Sequence, residues 1–212
     1  MTNHIIVVAG NIGAGKTSLT DRVGERLGWE AVFESVADNP YLADFYDDMR
    51  AWSFHLQIFF LGHRAEQYLK LAGGERAAIL DRSIFEDAYI FAHALHHLGN
   101  MTERDYEAYR TLYQLTIENL PRPSLLLYLK AFVQILLERI RGRGREIEVG
   151  ISADYLELLN SFYDDWMANF NQCPVLTIPA DRLDFVADWG HLYIIVEKIN
   201  EKLSGKEEVI FS

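Results

Sequence analysis

Short apolar runs alternate with longer segments of helical spacing along nearly the whole chain. The runs typical of buried strands are residues 4–9 (HIIVVA), 77–80 (AAIL), 124–129 (SLLLYL) and 174–178 (PVLTI), with a weaker one near 31–33. Apolar positions of helical spacing occupy residues 17–27, 41–71, 84–98, 102–120, 131–141, 155–170 and 189–203. Apolar strands that alternate with helices predict an α/β fold, with a five-stranded parallel sheet and helices on both faces.

A complete phosphate-binding motif, G-x-x-x-x-G-K-[ST], joins the first strand to the first helix as GNIGAGKT. Its glycines let backbone N–H groups turn toward an anion, and the helix N-terminus adds a positive dipole end. Lys16 can reach the outer phosphates of a nucleotide, and the Thr17 hydroxyl can bind Mg²⁺. The residues expected to hold the phosphates are Gly10, Asn11, Ile12, Gly13, Ala14, Gly15, Lys16, Thr17 and Ser18. The motif and its flanks predict a P-loop nucleoside triphosphate-binding fold.

Length and composition narrow the class of protein. The 212 residues suit one domain, 1–212, and no apolar run reaches the roughly 18 residues of a membrane span. The net charge of −11 argues against a nucleic-acid polymer as the main partner. Cys173 is the single cysteine and no basic leader precedes the first strand, so we expect a cytoplasmic protein.

Charged residues follow two of the predicted strands. Asp81 and Arg82 come directly after the AAIL run, and Glu34 follows the weaker strand. Because carboxyl ends of parallel strands border the ligand crevice, Asp81 is expected to face Mg²⁺ and Arg82 to stabilise charge on the transferred phosphoryl group. Glu34 could take a proton from an attacking hydroxyl, although many strand-end glutamates are only solvated.

Three polar side chains interrupt apolar helices. Gln57 and Arg64 are seven residues apart and share one helical stripe, and Asp87 lies among apolar residues of a later helix. A buried amide and a buried guanidinium need partners, and Asp87 is a candidate partner for Arg64. The group could be an internal ion pair, a hydrogen-bonding platform for a planar ligand, or both.

Arginines alternate with glycines between residues 139 and 145 (RIRGRGR). Arginine makes bidentate phosphate contacts, and glycine provides hinge freedom. The segment could be a solvated charge run, but its place late in a P-loop chain favours a lid at about 139–150 that closes over the phosphates.

Five ordered segments resemble the deoxyribonucleoside kinase family, and together they span nearly the whole chain. They are GNIGAGKTS (10–18), FESVADNPYL (33–42), WSFHLQIFFLGHR (52–64), DRSIFEDAYIFA (81–92) and RIRGRGREIEVGISADYL (139–156). The resemblance is greatest to bacterial members that act on deoxyadenosine and deoxyguanosine. It implies ATP and Mg²⁺ as cofactors, a small-molecule nucleoside substrate and a homodimer.

The resemblance also implies roles for the residues that carry chemistry. Glu34 matches the base that activates the nucleoside 5′-hydroxyl. Arg82 matches the arginine that helps to hold that oxygen and the reacting phosphate, and Asp81 matches the carboxylate that binds magnesium. The arginines that match the lid are Arg139, Arg143 and Arg145. Two departures occur, since many animal members have Glu at position 81 and proline often stands at position 35, where this chain has Ser.

The implied nucleoside site has a base part and a sugar part. Gln57 would hydrogen-bond the base, Arg64 and Asp87 would pair and recognise its edge, and Trp52 and Phe91 would line or stack on it. Tyr46 and Glu148 would bind the sugar 3′-hydroxyl. Aligning Arg143-Gly144-Arg145 with the R-x-R of the family favours Glu148 over Glu146 for the sugar contact, and Glu146 stays the alternative.

The resulting function is ATP-dependent phosphorylation of a deoxyribonucleoside 5′-hydroxyl, with deoxyadenosine or deoxyguanosine favoured and deoxycytidine possible. One alternative is a nucleoside monophosphate kinase such as thymidylate kinase, which must grip an acceptor phosphate. Residues 30–49 contain no Lys or Arg, which argues for a neutral acceptor. Another alternative is a non-catalytic structural subunit of the same fold, against which intact Lys16, Glu34, Asp81 and Arg82 count.

Overall fold

A parallel sheet forms the centre of the molecule. The structure, a computed structural model, describes residues 4–33, 39–145 and 150–205. The strands of these residues are β1 (Ile5–Gly10), β2 (Glu30–Val32), β3 (Ala78–Asp81), β4 (Leu125–Lys130) and β5 (Val175–Pro179). They pair in the order β2-β3-β1-β4-β5, every pair parallel, which confirms the predicted five-stranded sheet.

Helices cover the sheet, as the pattern predicted. They are α1 (Lys16–Leu27), α2 (Leu42–Asp47), α3 (Met49–Ala72), α4 (Ile84–Asp87), a π-helical turn (Ala88–Ala92), α5 (His93–His97), α6 (Glu103–Glu118), α7 (Val133–Arg143), α8 (Ala153–Asn169) and α9 (Trp189–Ser204). Within the described ranges, none of these helices is both long enough and apolar enough to cross a membrane.

The central strand β1 is buried along its whole length and supplies both core layers. Val7 points into a layer that contains Tyr68 of α3 and Tyr163 of α8. Val8 points into the opposite layer, with Leu19 of α1 among its members. Because successive residues of a strand face opposite sides, the continuous apolar run IIVVA is what a doubly covered strand requires.

Residues 41–71 were predicted to be mostly one long helix, and α3 forms most of this range, but the chain breaks at Asp48 and a short α2 precedes it. The backbone of Asp48 has φ −141° and ψ 88°, outside the helical region. Its carboxylate accepts a hydrogen bond from the N–H of Ala51 at 3.1 Å and so caps the N-terminus of α3. The apolar pattern continues across this point, whereas the capping residue ends one helix and starts the next.

The predicted helix at 84–98 is present but contains a π-helical turn. Residues Ala88–Ala92 form this turn between α4 and α5. A π turn contains one residue more than an α turn, and such turns are frequent at functional sites. It lies between Asp87 and His93, so it sets the direction of Asp87 relative to the later helix.

Candidate active site

The phosphate loop takes the shape that its glycines permit. Gly13 and Gly15 have φ values of 82° and 98°, in the left-handed region that favours glycine. The N–H of Ala14 donates to the carbonyl of Asn11 at 3.1 Å, which closes the turn. The loop therefore enters α1 at Lys16, with the helix N-terminus directly behind the loop.

Gly10 has no room for a side chain. Its φ is 147°, and a Cβ atom there would lie 2.7 Å from the carbonyl oxygen of Leu129 on β4. We expect Gly10→Ala to lower the free energy of unfolding by about 2–4 kcal/mol, from backbone strain and overpacking together. Chemical denaturation measures this change.

Gly142→Ala is the matched control for this substitution. A Cβ atom at Gly142 would meet no atom within 4 Å, and the residue is helical. The control should leave the free energy of unfolding unchanged or raise it by up to about 1 kcal/mol. Equal stability of Gly10→Ala and Gly142→Ala would contradict the close approach to β4.

Side chains hold the loop from both sides. The ammonium of Lys16 is buried and donates to the carbonyls of Gly10 at 2.8 Å and Asn11 at 3.0 Å. The amide of Asn11 donates to the carbonyl of Leu156 and to the Oδ1 of Asn160, both on α8. The loop is thus fixed to α8, a contact that sequence reasoning missed because the partners are about 150 residues apart.

Thr17 and Asp81 lie together at the carboxyl edge of the sheet. The Thr17 hydroxyl donates to the Asp81 Oδ2 at 2.5 Å, and both side chains reach solvent. Among the described residues, no group of three or more His, Cys, Asp or Glu side chains could hold a metal ion. The hydroxyl–carboxylate pair fits Mg²⁺, which prefers oxygen ligands and is usually held by one or two protein groups plus phosphates and water.

Arg82 has an unusual backbone. It has a φ of 73°, the single positive value among the non-glycine residues that the structure describes. Its N–H donates to the carbonyl of Val8 at 3.0 Å, and its guanidinium lies 4.2 Å from the ring centroid of Phe91. Strained backbone of this kind costs about 1–3 kcal/mol and clusters at functional sites. This left-handed residue comes directly after β3, and its side chain lies over the ring of Phe91.

The expected pairing of Arg64 and Asp87 is present. The Arg64 Nη1 donates to the Asp87 Oδ1, and both side chains are buried. The Arg64 guanidinium also lies 4.6 Å from the ring centroid of Phe60. Gln57, two turns earlier on the same face of α3, is buried as well. Gln57 and Arg64 are therefore buried on one stripe of α3, as the spacing predicted, and Asp87 of α4 is the ion-pair partner of Arg64.

The aromatic residues predicted for the base and sugar parts of the site lie on α2, α3 and the π turn. Trp52 of α3 is partly buried, with its ring 5.9 Å from that of Tyr41. Phe91 lies in the π turn beneath Arg82, and Tyr46 on α2 is half-exposed. Tyr155 of α8 was missed by sequence reasoning, yet Arg82 and Tyr46 are its electrostatic neighbours, and burial raises its pKa.

The arginines of the predicted lid separate into two kinds. Arg139 lies within α7, where its guanidinium donates to the carbonyls of Ala14 at 3.2 Å and Ala180 at 2.7 Å. Arg143 and Arg145 are exposed on either side of Gly144, whose φ of 64° ends α7. Arg139 therefore braces the phosphate loop, and the start of the 139–150 segment is helical rather than a glycine hinge.

Two of the predicted site residues lie outside the described residues. Glu34 belongs to the segment 34–38, and Glu148, with its alternative Glu146, belongs to 146–149. Their flanking residues are Phe33 after β2 and Arg145 after α7. Their roles stay predictions from the sequence.

The family model for deoxynucleoside kinase matches residues 6–204 of the chain. The chain is 39% identical over 199 residues to the deoxyadenosine/deoxycytidine kinase of Bacillus subtilis (strain 168), covering 93% of this chain and 92% of the relative. It is 33% identical over 204 residues to the deoxyguanosine kinase of the same organism, covering 94% and 98%.

The fold is similar to that of the deoxyadenosine kinase from M. mycoides with bound dATP. The TM-score is 0.80 at 30% sequence identity, covering 92% of this chain and 99% of that one. The match therefore covers most of this chain and nearly all of that one. The protein described here therefore belongs to the deoxynucleoside kinase family.

Proposed function

We propose that the protein transfers the γ-phosphoryl group of ATP to the 5′-hydroxyl of a purine deoxyribonucleoside, deoxyadenosine or deoxyguanosine. The observation that carries the proposal is the buried Arg64–Asp87 pair, with Gln57 on the same stripe of α3 as Arg64, in a chain that also holds a complete phosphate loop. The loop supplies the phosphate donor site. The buried polar stripe supplies hydrogen bonds for a planar base.

The chain's own groups suit each part of this reaction. Loop N–H groups and Lys16 would hold the β- and γ-phosphates, and Glu34 would accept the 5′-proton. Arg82, which follows β3 in a left-handed backbone conformation, would neutralise charge on the transferred group. Mg²⁺, held by Thr17 and near Asp81, would supply further neutralisation of phosphate charge when bound.

Base preference follows from hydrogen-bond chemistry. Gln57 offers a donor and an acceptor, and Asp87 accepts from an exocyclic or ring N–H. Thymine presents a carbonyl and a methyl group to this edge, so its binding would leave buried polar groups unpaired. Relatives named for deoxyadenosine, deoxycytidine and deoxyguanosine support this class of substrate. Deoxycytidine is therefore the next candidate after the purines.

A turnover panel tests the proposal. The purified protein is assayed with ATP and each of the four deoxynucleosides, and with dAMP and dTMP as phosphorylated acceptors. We expect kcat/KM for deoxyadenosine or deoxyguanosine to exceed that for thymidine by on the order of 10³. Lys16→Ala controls for contaminating kinases. Turnover of the monophosphates instead would identify a nucleoside monophosphate kinase, and no turnover at all would favour a structural subunit.

Arg143 and Arg145, which lie at the end of α7 and directly after it, are proposed to be the part of the predicted lid that contacts the phosphates. Replacing either by Ala should lower kcat about 10–100-fold, because charge on the transferred group loses a partner, while nucleoside affinity stays within about threefold. Steady-state kinetics and nucleoside titration measure the two effects. Arg141→Ala, an exposed neighbour in α7, is the matched control and should retain wild-type kcat. Equal losses of nucleoside affinity and kcat would contradict a lid role.

A homodimer is also proposed. Leu69 of α3 and Leu112 and Leu115 of α6 are each about half exposed, and α3 and α6 contact each other. Exposed leucines on neighbouring helices favour association with a second copy, which the family resemblance implies. Sedimentation velocity measures the mass directly. Cytoplasmic localisation stays a prediction.

A further inference from the structure

A chain of buried polar groups lies beneath the phosphate loop. The Tyr163 hydroxyl oxygen on α8 is 2.7 Å from the Oε2 of Glu86 and 2.9 Å from the carbonyl oxygen of Gly10. The same Gly10 carbonyl accepts from the Lys16 ammonium at 2.8 Å. These hydrogen bonds therefore connect Glu86 of α4, through Tyr163 of α8, to the carbonyl that accepts from Lys16.

The number of hydrogens in this chain decides the charge of Glu86. A tyrosine hydroxyl carries one hydrogen, and a backbone carbonyl can only accept. If Tyr163 donates to Gly10, the contact with Glu86 needs a hydrogen from the carboxyl group, so that group must be protonated. If Glu86 were ionised, the Tyr163 hydroxyl would have to donate its single hydrogen bond to that carboxylate. Two acceptor oxygens would then face each other at 2.9 Å with no hydrogen between them.

Burial of Glu86 supports the protonated form. Its side chain has no solvent exposure, and its Oε1 has no hydrogen-bond partner within the part of the chain that the structure describes. A carboxylate with one hydrogen bond in such a place would be poorly stabilised. Burial raises the pKa of Glu86, and the cations Arg82 and Lys16 oppose that rise. The charged and titratable groups that face it are Lys16 of α1, Arg64 of α3, Arg82 after β3, Tyr113 of α6, Tyr128 of β4 and Tyr163 of α8.

We propose that Glu86 is a positioning residue that works as a neutral acid, donating to Tyr163 so that Tyr163 donates to the Gly10 carbonyl that holds Lys16. The hydrogen bonds run in one direction, from carboxyl to phenol to carbonyl. This orientation fixes the first peptide of the loop and, through it, the ammonium group. The effect on ATP rests on the proposed function, whereas the protonation of Glu86 can be tested without it.

The pH dependence of stability tests the protonation. A carboxyl that keeps its proton in the folded state releases it on unfolding. Its stability contribution is complete below the unfolded pKa and is lost as pH rises toward the folded pKa. The wild-type unfolding constant should therefore rise relative to that of Glu86→Gln as pH rises above the ordinary pKa of glutamate, by about tenfold per pH unit through neutral pH. A ratio that stays constant with pH would overturn the proposal.

Infrared spectroscopy gives a second readout of the same proton. The wild type should show the carbonyl band of a protonated carboxyl group at neutral pH, and Glu86→Gln should lack it. A wild-type spectrum identical to that of Glu86→Gln in this region would also overturn the proposal.

Binding of ATP, measured by calorimetry, tests the positioning. Glu86→Met removes the donor at similar length, and Tyr163→Phe removes the middle of the chain. Each should weaken ATP binding about tenfold. Glu86→Gln should bind within about threefold of the wild type, because its amide can still donate to Tyr163. If Glu86→Gln loses as much affinity as Glu86→Met, the donor role is wrong. A wild type that binds no ATP would refute the proposed function. The pH dependence of stability would still decide whether Glu86 is protonated.

Discussion

Glu34→Gln is expected to lower kcat by about 10²–10⁴-fold, since the amide keeps the shape of the carboxylate but cannot accept a proton. Glu34 follows β2, whose carboxyl end lies at the same edge of the sheet as Asp81 and the phosphate loop. A base at this edge could reach a hydroxyl placed for attack on the γ-phosphate. Steady-state kinetics with saturating ATP and the preferred deoxynucleoside measure the change.

Two measurements separate loss of the base from loss of the site. Nucleoside affinity, measured by titration, should stay within about tenfold of the wild type, because the hydrogen-bonding reach is retained. Glu30→Gln makes the same chemical change at an exposed residue at the start of the same strand and should retain wild-type kcat. An unchanged kcat in Glu34→Gln would show that another group accepts the proton.

Asp87→Ala is expected to relax the choice of base. In the wild type, kcat/KM for deoxyadenosine should exceed that for thymidine by on the order of 10³, because thymidine leaves buried polar groups unpaired. The substitution removes the acceptor proposed for purines and should make room for the thymine methyl group. The thymidine-to-deoxyadenosine ratio of kcat/KM should therefore rise by about 10²-fold.

The control for this experiment is the stability of the variant. Asp87 is fully buried against Arg64, and removing one partner of such a pair costs about 3–5 kcal/mol. Arg64→Met with Asp87→Ala removes both charges and should recover part of that loss. If a folded Asp87→Ala protein has the wild-type ratio, the pair is a structural ion pair only and does not read the base.

The hydrophobic pattern predicted β1, β3 and β4 well, because these three strands are buried along nearly their whole length. Leu125–Lys130 was expected at residues 124–129, and Ile5–Gly10 at 4–9. A strand covered on both sides needs a continuous apolar run, which leaves few other interpretations. The Arg64–Asp87 pair was predictable for a related reason, since polar groups inside apolar helices require partners.

Other features depend on packing that no local pattern encodes. Glu86 and Tyr163 are 77 residues apart, and nothing near either residue marks the other as its partner. One sequence feature does indicate a buried polar site here, namely two consecutive acids, Glu86 and Asp87, inside an apolar helix. The helix break at Asp48 was also predictable, since aspartate is a preferred N-capping residue. Apolar residues at helical spacing continue across Asp48, however, and this pattern favours a continuous helix.

The π turn at Ala88–Ala92 affects how the length of this segment can change. Because the turn holds one residue more than an α turn over about the same rotation, deleting one residue there would leave a regular α-helix whose two ends keep their relative direction. Asp87 can then stay paired with Arg64 while His93 and His96 stay stacked on Phe162 and Tyr106. The same deletion within a regular α-helix would instead rotate everything after it by about 100°. We therefore expect deletion of Tyr89, the exposed residue of the turn, to lower the free energy of unfolding less than deletion of the exposed Thr111 within α6.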